Sequence, residues 1–590
     1  MFSLLKDPWL RLSLATGGPM RAYSLREAVL EAHALGDLVV DLPTQRPSLL
    51  RQLLLPVIVD ALGRPADGRE WVRWFHAGRW SPQQVEQLNA YFATYQDRFD
   101  LFHPTDPFAQ VADLQTEKGE TKGAGLLVAT AATGNNVPLF ASRTEGDVLA
   151  LTPAEAAHWL LHIHGWDTAA IKTGAVGDPK VKQGKTTGNP TGPLGQLGVT
   201  VPVGRTLYDT LLLNIPVGPP LRSDDLPQWR RRDQDGPIEE TCSVATPLWQ
   251  ERAPKGLLDV WTWQSRRIRL FPKRSDDGTL SVSRVLVAAG DRMPHTPEDE
   301  PHTMWRLEPT GTSGRAKSNK RAGALPRRSL RMQAGKAAWR GLDALLAPER
   351  ASQDASDKTA GFATSRLLDQ LAGVRSDIGE AYPLRVELTG MAYGTQSSTV
   401  DDVMFDSLPL PLAALGAQTY VHAAVVEAAA QAEQLAVAVN NLSADLRRAL
   451  GADPIPWDKG QRPGEFVLHA LDPLMRRLLA GLRDVGDDIA TVEARQTEWE
   501  QLAWRRSWEI ADGLLQTVPV SAYTGRKSDK KEGGDKPERT YRASMAEASF
   551  LRRRREILHR AAEARRLAQA ERTTLAQGST GPVADGEPLS

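Results

Sequence analysis

A single cysteine, Cys242, is present among 590 residues. An intramolecular disulfide and a zinc site built from several thiolates are therefore excluded, because each needs at least two cysteines. Such sparing use of cysteine is typical of proteins from a reducing compartment. We expect a cytoplasmic protein.

Long apolar runs and an excess of one charge are also missing. The N-terminus shows no basic segment followed by an apolar one, so no signal peptide is predicted. The apolar stretch from Leu53 to Leu62 is interrupted by Pro56 and Asp60 and is too short to span a bilayer, so no membrane partner is expected. The 72 basic and 72 acidic side chains cancel, so contact with nucleic acid must depend on local clusters.

One enzyme-like pattern lies in the segment from Lys182 to Thr187. It resembles the end of a phosphate-binding P-loop, with Lys185 and Thr186 as the Lys-Ser/Thr pair. The first glycine of that pattern would fall on Pro179, and no buried strand precedes it. An ATPase is therefore kept only as an alternative.

A second enzyme-like pattern is a pair of histidines. His158 and His162 are four residues apart, so a helix would place both imidazoles on one face, as in a metal-dependent hydrolase. Trp159 stands where the HExxH motif needs glutamate. The G-x-S-x-G elbow of nucleophilic hydrolases is absent. No catalytic residue, cofactor or metal site is predicted, and the hydrolase stays an alternative.

The hydrophobic pattern changes along the chain and predicts an α+β (mixed) fold. Up to residue 408, helix-like and strand-like segments alternate in a large, irregular α/β N-terminal domain, with strand-like runs at 199–203, 206–215, 268–271 and 280–288. Residues 409–575 are rich in Ala, Leu, Glu and Arg, and their helical patterns cover 412–450, 464–484, 487–517 and 541–572. Four amphipathic helices in series predict a C-terminal four-helix bundle. Residues 576–590 are predicted to be a disordered tail.

Several segments of the N-terminal domain are candidate recognition loops. Segments of more than about 12 residues without regular structure are usually functional or disordered. The segment 311–336 holds eight basic side chains and no acidic one, so it is either a solvated loop or a phosphate-contacting arm. The candidates are 113–142, 166–198, 311–336 and the hairpin 384–405.

Two glycine-containing segments are of particular interest. The spacing Gly192-x-x-Gly195-x-x-Gly198 does not fit a dinucleotide fingerprint, but it lets a backbone approach a ligand closely. The turn Gly394-Thr395-Gln396-Ser397 joins two strand-like runs. It is either an ordinary hairpin tip or a protruding amide that enters a groove of nucleic acid.

Seven segments, in the same order, resemble the large subunit (CasA family) of the type I-E CRISPR Cascade complex. Each segment is a weak signal alone, but the shared order is not. The segments are Leu5 to Trp9 with Ser24 to Ala28, Asp97 to Pro104 with Pro107-Phe108, Asn136 to Phe140, Leu211 to Ile215, Trp261 to Leu270, the hairpin Gly394 to Phe405, and the helical C-terminus.

The resemblance implies a non-catalytic subunit of an RNA-guided antiviral complex. Members of the family recognise the protospacer-adjacent motif in double-stranded DNA, mostly from the minor groove. They destabilise the adjacent duplex to start R-loop formation and help to recruit the helicase-nuclease. The implied partners are guide RNA, the other Cascade subunits, double-stranded target DNA and the helicase-nuclease effector.

The resemblance also implies roles for individual residues. Gln396 takes the place of the family's wedge glutamine, which parts the DNA strands, and the glycine loop of the family falls within 184–198. The full set is Thr395, Gln396 and Ser397 as the DNA wedge, Gly188, Gly192 and Gly195 in the glycine loop, Arg292 as the minor-groove cation, and Asn135, Asn136 and Phe140 in the loop that contacts guide RNA and a neighbouring subunit.

Overall fold

The structure is a computed structural model that describes residues 1–133, 148–178, 180–231, 238–307, 327–347, 361–456, 462–527 and 540–578. The chain divides into two compact units, Met1–Leu415 and Gly416–Ser590. The first unit mixes helices and strands, and the second is mainly helical. The predicted α+β fold with a helical C-terminal region is confirmed.

Helices of the first unit begin at side chains suited to capping. Ser24, Ser81 and Thr152 each accept a hydrogen bond from the backbone three residues later, and the Glu or Gln there bonds back to the cap residue. A π-helical turn, Leu50–Leu54, joins the second and third helices. The helices are α1 (Leu25–Leu30), α2 (Gln45–Leu49), α3 (Leu55–Leu62), α4 (Gly68–Ala77), α5 (Pro82–Thr94), α6 (Pro153–Trp166), α7 (Leu207–Leu213), α8 (Ile238–Thr241), α9 (Leu257–Trp261), α10 (Leu342–Leu345) and α11 (Arg366–Ile378).

The strand predicted over 206–215 is wrong, because this segment forms helix α7. Thr206 has an extended backbone and accepts a hydrogen bond from the Asp209 amide, which starts the helix. The apolar run Leu211–Leu213 is buried whatever its secondary structure, so its hydrophobicity does not separate helix from strand. The N-terminal cap decides the conformation.

The strands of the first unit form several small sheets. The strands are β1 (Leu10–Leu14), β2 (Arg21–Tyr23), β3 (Leu35–Leu38), β4 (Lys122–Gly123), β5 (Lys172–Thr173), β6 (Lys185–Thr186), β7 (Val199–Val203), β8 (Arg266–Arg274), β9 (Leu280–Ala289), β10 (Trp305–Leu307), β11 (Arg327–Ser329), β12 (Phe362–Ala363), β13 (Arg385–Tyr393) and β14 (Val400–Leu408). The strand orders are β2-β1-β3, β11-β10-β12, β14-β13-β7 and β4-β9-β5-β6, with β8 paired to β9.

Two antiparallel pairs position the candidate site. Strand β13 is the centre of its sheet, with Val386 opposite both Leu408 of β14 and Pro202 of β7. The β13–β14 register shifts between Ala392 and Tyr393, just before the turn. Strands β8 and β9 form the second pair, and Arg266 at the start of β8 lies opposite Ala289 at the end of β9.

The second unit contains the long helices that the sequence predicts, with two main differences. The helix predicted over 412–450 begins only at Tyr420, because Leu412–Leu415 is a 3-10 turn of the first unit. The segment predicted as a single helix over 541–572 is two helices that meet at Leu558. The elements are α12 (Tyr420–Ala449), α13 (Pro463–Arg483), α14 (Ile489–Gln516), α15 (Ser521–Thr524), β15 (Arg526–Lys527) paired with β16 (Thr540–Tyr541), α16 (Ala543–Ile557) and α17 (His559–Gly578).

The break at Leu558 is stabilised by side chains of neighbouring helices. Leu558 is fully buried and has non-helical torsion angles, φ −108° and ψ 62°. Gln431 of α12 donates from Nε2 to the Ile557 carbonyl (3.2 Å), and the buried Glu500 of α14 accepts from the Ala561 amide (3.0 Å). Backbone groups left free by the break therefore find partners.

Residues 311–326, 528–539 and 579–590 lie outside the described residues, so the predictions for most of the basic segment and for the end of the tail are untested. Among the residues that the structure describes, no helix is long and apolar enough to cross a membrane.

Glu500 is expected to be a main determinant of stability in the second unit. Its carboxylate also accepts hydrogen bonds from Gln431 Nε2 (2.9 Å) and Arg560 Nη1 (2.9 Å). Glu500→Met should lower the free energy of unfolding by about 1–3 kcal/mol, because it leaves the buried Ala561 amide without its acceptor and removes one of the two carboxylates that pair with Arg560. Urea denaturation measures this loss.

The matched control is Glu509→Met, since Glu509 pairs with Arg506 on the exposed surface of the same helix. Its loss should cost under about 1 kcal/mol. Equal effects of the two substitutions would contradict the role assigned to Glu500.

Candidate nucleic-acid interface

The turn between β13 and β14 holds a glutamine in a fixed, exposed position. Gln396 and Ser397 both have φ of 54°, in the left-handed region that residues with a side chain rarely adopt. Backbone bonds from the Ser397 amide to the Gly394 carbonyl (2.8 Å) and from the Gly394 amide to the Thr399 carbonyl (3.1 Å) close the turn. Thr395 and Gln396 are exposed, and Ser397 is half-buried.

The 166–198 segment is hydrogen-bonded to both sides of this turn. Before the turn, Tyr393 donates its hydroxyl proton to the Trp166 carbonyl (2.6 Å). Within the turn, the Ser397 carbonyl accepts from the Ala169 amide (2.7 Å). The hairpin turn and the glycine-containing segment are therefore linked directly by hydrogen bonds.

Gly192 and Gly195 are glycines because neighbouring protein atoms leave no room for a side chain. A Cβ on Gly195 would lie 2.1 Å from the Tyr393 hydroxyl, and one on Gly192 would lie 2.4 Å from the Gly165 carbonyl carbon. Close packing against α6 and the hairpin explains both residues without any ligand. The sequence pattern could not separate this cause from ligand approach.

Gly188 is different, because it is exposed and lies beside Arg292. Its φ is +71°, and an added Cβ would meet only Arg292 Nη1, at 3.5 Å. Arg292 donates from Nη2 to the Thr187 carbonyl (2.7 Å) and to Asn189 Oδ1 (3.3 Å). The structure thus brings together a glycine and a cation that are far apart in the sequence.

A tryptophan beside Arg292 was not predicted from the sequence. The Trp249 ring lies 4.0 Å from the Arg292 guanidinium carbon and 4.4 Å from Lys180 Nζ, measured to its centroid. Such cation–π contacts fix long side chains while keeping their charge. No motif or spacing marks Trp249, because its neighbours come from distant parts of the chain.

The geometry of the 182–187 segment does not fit a P-loop. Lys182 and Lys185 exchange backbone hydrogen bonds (2.9 and 3.1 Å), and Gln183 and Gly184 between them have φ of 51° and 71°. This is a two-residue hairpin turn of the type that matches strand twist. Thr186 is buried and donates to Asp178 Oδ2 (2.7 Å), and no helix begins directly after it to cradle a phosphate, since the next helical element is the 3-10 turn Pro193–Gln196. The ATPase alternative has no structural support.

The two histidines of the hydrolase alternative are buried side chains of α6. His158 packs against Trp9, with 5.3 Å between ring centroids, and His162 Nε2 lies 2.9 Å from the Thr44 hydroxyl. Burial lowers the pKa of His158 to about 4 and that of His162 to about 3. Within the described ranges, the grouping of potential metal ligands is Glu427, Glu500 and His559, which includes neither histidine. The hydrolase alternative therefore has no structural support, because His158 and His162 are not part of a potential metal site.

Arg266 is a buried side chain that links separate parts of the 166–198 segment through hydrogen bonds. This buried side chain pairs with Asp167 and donates to the carbonyls of Thr168 (2.8 Å) and Pro190 (2.8 Å). Lys172 Nζ lies 2.6 Å from the same Asp167 carboxylate. Burial raises the pKa of Asp167, but Lys172 and Arg266 outweigh burial and hold the pKa below its ordinary value. Asp167 is therefore ionised at neutral pH.

Asn135, Asn136 and Phe140 lie outside the described residues, so the guide-RNA loop remains a prediction. The remaining candidates are placed by the structure, but placement alone does not test their roles.

Comparison with known proteins identifies the family. A sequence model of the family described as CRISPR-associated protein Cse1 matches residues 3–510. The chain is 27% identical over 456 residues to the CRISPR-associated protein CasA/Cse1 of Thermus thermophilus, covering 76% of this chain and 78% of the relative.

Solved structures give the same result. Cse1 of Thermobifida fusca is 31% identical with a TM-score of 0.77, and the match covers 95% of this chain and 98% of the other. A chain of a CRISPR RNA-guided surveillance complex shares the fold, with 20% identity, a TM-score of 0.64 and coverage of 88% and 99%. The protein belongs to the Cse1 (CasA) family, which confirms the resemblance read from the sequence.

The buried histidines predict sensitivity of the first unit to acid. His158 has a pKa of about 4 when folded and about 6.5 when unfolded, so the unfolded state binds a proton first as the pH falls. Stability is complete above pH 6.5 and declines between pH 6.5 and 4. His158→Gln should reduce the stability lost between pH 7 and pH 5 by about 2 kcal/mol in urea denaturation.

His33→Gln is the control, because His33 is exposed. An unchanged pH dependence in His158→Gln, or an equal change in both variants, would contradict the assignment.

Proposed function

We propose that this chain is the non-catalytic subunit of an RNA-guided CRISPR surveillance complex that recognises a protospacer-adjacent motif in double-stranded DNA and opens the adjacent duplex. Membership of the Cse1 family supports the assignment to such a complex. The observation that carries the DNA-opening role is that one hydrogen-bonded segment, 166–198, connects Gly188 and Arg292 to the Gln396 turn.

The motif reader is the surface formed by Gly188 and Arg292. The absence of a side chain at Gly188 lets a DNA backbone or base edge approach its exposed main chain. Arg292 Nη1 makes no hydrogen bond to any described residue, so it is free to donate to the acceptors on the floor of the minor groove. Because the minor-groove code is degenerate, tolerance of several motifs is expected.

The strand-opening element is the turn that carries Gln396. An amide both donates and accepts hydrogen bonds, so Gln396 can replace contacts that a base pair loses. The closed turn fixes the backbone that carries Gln396, so this backbone needs no further ordering before the side chain inserts. Unstacking one step costs a few kcal/mol, which motif contacts and the new RNA–DNA heteroduplex must offset.

Arg266 sets the position of the reader relative to the wedge. Its guanidinium holds Thr168, next to the residue that bonds the turn, and Pro190, two residues from Gly188. A rigid connection keeps the insertion point at one distance from the motif. Arg266 is thus a positioning residue, since it lies buried and apart from any DNA-facing surface.

The remaining assignments follow from the family. The partners are guide RNA, the other Cascade subunits, target DNA and a helicase-nuclease that the subunit helps to recruit in the cytoplasm. Asn135, Asn136 and Phe140 are assigned to the contact with guide RNA, and Gly192 and Gly195 shape the loop that carries Gly188.

Gln396→Ala tests the wedge in the reconstituted complex. R-loop formation on a motif-bearing duplex should fall at least about tenfold, equivalent to about 1.4 kcal/mol, while assembly with guide RNA is unchanged. Arg292→Gln should instead weaken binding to the motif-bearing duplex before any opening occurs. A gel-shift assay follows binding, and permanganate reactivity of unpaired thymines follows opening.

The control is Gln87→Ala, an exposed glutamine on α5, which should change neither quantity. Normal R-loop yield in Gln396→Ala would disprove the wedge assignment. Normal discrimination between motif-bearing and motif-free duplex in Arg292→Gln would disprove the assignment of Arg292 to the motif reader.

A further inference from the structure

Arg554 of α16 is a buried cation that has no counter-ion among the residues that the structure describes. Its side chain lies on the face of α16 that packs in the second unit, and the residue is 6% exposed. Its Nε and Nη1 atoms are buried and make no hydrogen bond to any residue that the structure describes. Buried guanidinium groups normally have paired donors, because an unpaired buried charge is costly.

Aromatic rings surround this guanidinium. Its carbon lies 4.1 Å from the centroid of the Trp504 ring, 5.0 Å from that of Trp508 and 5.6 Å from that of Phe550. The guanidinium carbon of a second arginine, Arg565 in α17, lies 5.2 Å from the centroid of the Trp504 ring. We call these five residues the arginine cage. Cation–π contacts compensate for only part of the lost hydration.

The charged side chains that act on the pKa of Arg554 are both positive. Burial lowers the pKa of Arg554 to about 10, and the neighbouring charges of Arg565 and Arg555 act in the same direction. Arg554 still carries its proton at neutral pH. No ion pair of Arg554, Arg555 or Arg565 occurs among the described side chains, whereas Arg506 nearby on α14 pairs with Glu509 at 2.7 Å.

Arg554, Arg555 and Arg565 repel each other, and binding of an anion would relieve this repulsion. Arg555 and Arg565 are exposed, so an incoming group can reach them from solvent. Guanidinium groups bind phosphate oxygens through two parallel hydrogen bonds. Trp508 is half-buried and stacks with Phe550, with 6.5 Å between ring centroids, which leaves part of its ring available to a base.

We infer that the arginine cage, together with Arg555, binds the phosphate backbone of single-stranded nucleic acid, with Trp508 as a stacking surface. The combination of several cations and an aromatic ring is typical of sequence-independent binding to single strands. An acidic protein segment would use the arginines but would not need the ring. This inference does not depend on the motif reader or the wedge, since it involves only residues of the second unit.

The test measures binding of the full-length chain, without guide RNA, to a labelled 20-nucleotide oligothymidine that carries no motif. Arg565→Gln and Arg554→Met should each weaken binding at least about fivefold. Each should also lower the dependence of log K on log salt concentration by about 0.7 for each lost phosphate contact. Trp508→Leu should weaken binding without changing this salt dependence.

Thermal unfolding separates a binding role from a structural one. Removal of an unneutralised cation should leave the Tm of Arg554→Met at or above that of the parent chain, whereas a structural arginine would lower it. Arg565→Gln replaces an exposed side chain, so it tests binding even if Arg554→Met fails to fold. Arg506→Gln, which removes an ion-paired arginine of α14, is the control and should bind normally.

Three results would overturn the inference. One is unchanged oligothymidine affinity in Arg565→Gln, and another is a lower Tm with normal affinity in Arg554→Met. The third is competition for the site by polyglutamate with no binding of oligothymidine. Gln396→Ala should not affect this assay, so its outcome is independent of the proposed opening of duplex DNA.

Discussion

The candidate interface depends on one buried charge cluster, in which Arg266 and Lys172 share the carboxylate of Asp167. The segment 166–198 has few regular elements, so it cannot hold its shape through a long strand or helix. Arg266 fixes both ends of its functional part, through the carbonyls of Thr168 and Pro190. An arginine is suited to this work because its planar donors reach several acceptors in fixed directions.

The same cluster explains why the interface has its particular neighbours. With Thr168 fixed, the Ala169 amide meets the Ser397 carbonyl of the hairpin turn. With Pro190 fixed, Gly188 lies beside Arg292, whose side chain is itself held by the Trp249 ring. A chain with no net charge can still concentrate cations where loops converge, as Arg292 and Lys180 do beside Trp249.

The sequence predicted features that depend on local patterns. The helices of the second unit and strands such as Val199–Val203 follow from hydrophobic periodicity, and the ordered series of short motifs led to the correct family. Helix α7 was mistaken for a strand because Leu211–Leu213 is buried on all sides. The break at Leu558 depends on Gln431 and Glu500, which are distant in the sequence, so periodicity alone could not show it.

Features of the candidate site that the sequence did not predict also depend on contacts between distant residues. Gly188, Gly192 and Gly195 look alike in the sequence, yet two of them are required by close packing and the third is exposed beside a cation. Trp249 and Lys180 carry no recognisable motif, and their relation to Arg292 exists only after folding. Arg266 lies in a segment that identified the family, but its hydrogen-bond partners were not predictable from spacing.

The most direct test measures the opening rate of target DNA by a reconstituted complex carrying Arg266→Lys, which keeps the charge but loses the planar set of donors. We predict that motif binding stays within about twofold while opening of an intact duplex slows at least about tenfold. A target mismatched over the first base pairs beside the motif should restore the normal rate. An unchanged opening rate on intact duplex, or an equal defect on both targets, would contradict the claim that Arg266 holds the reader and the wedge at a fixed separation.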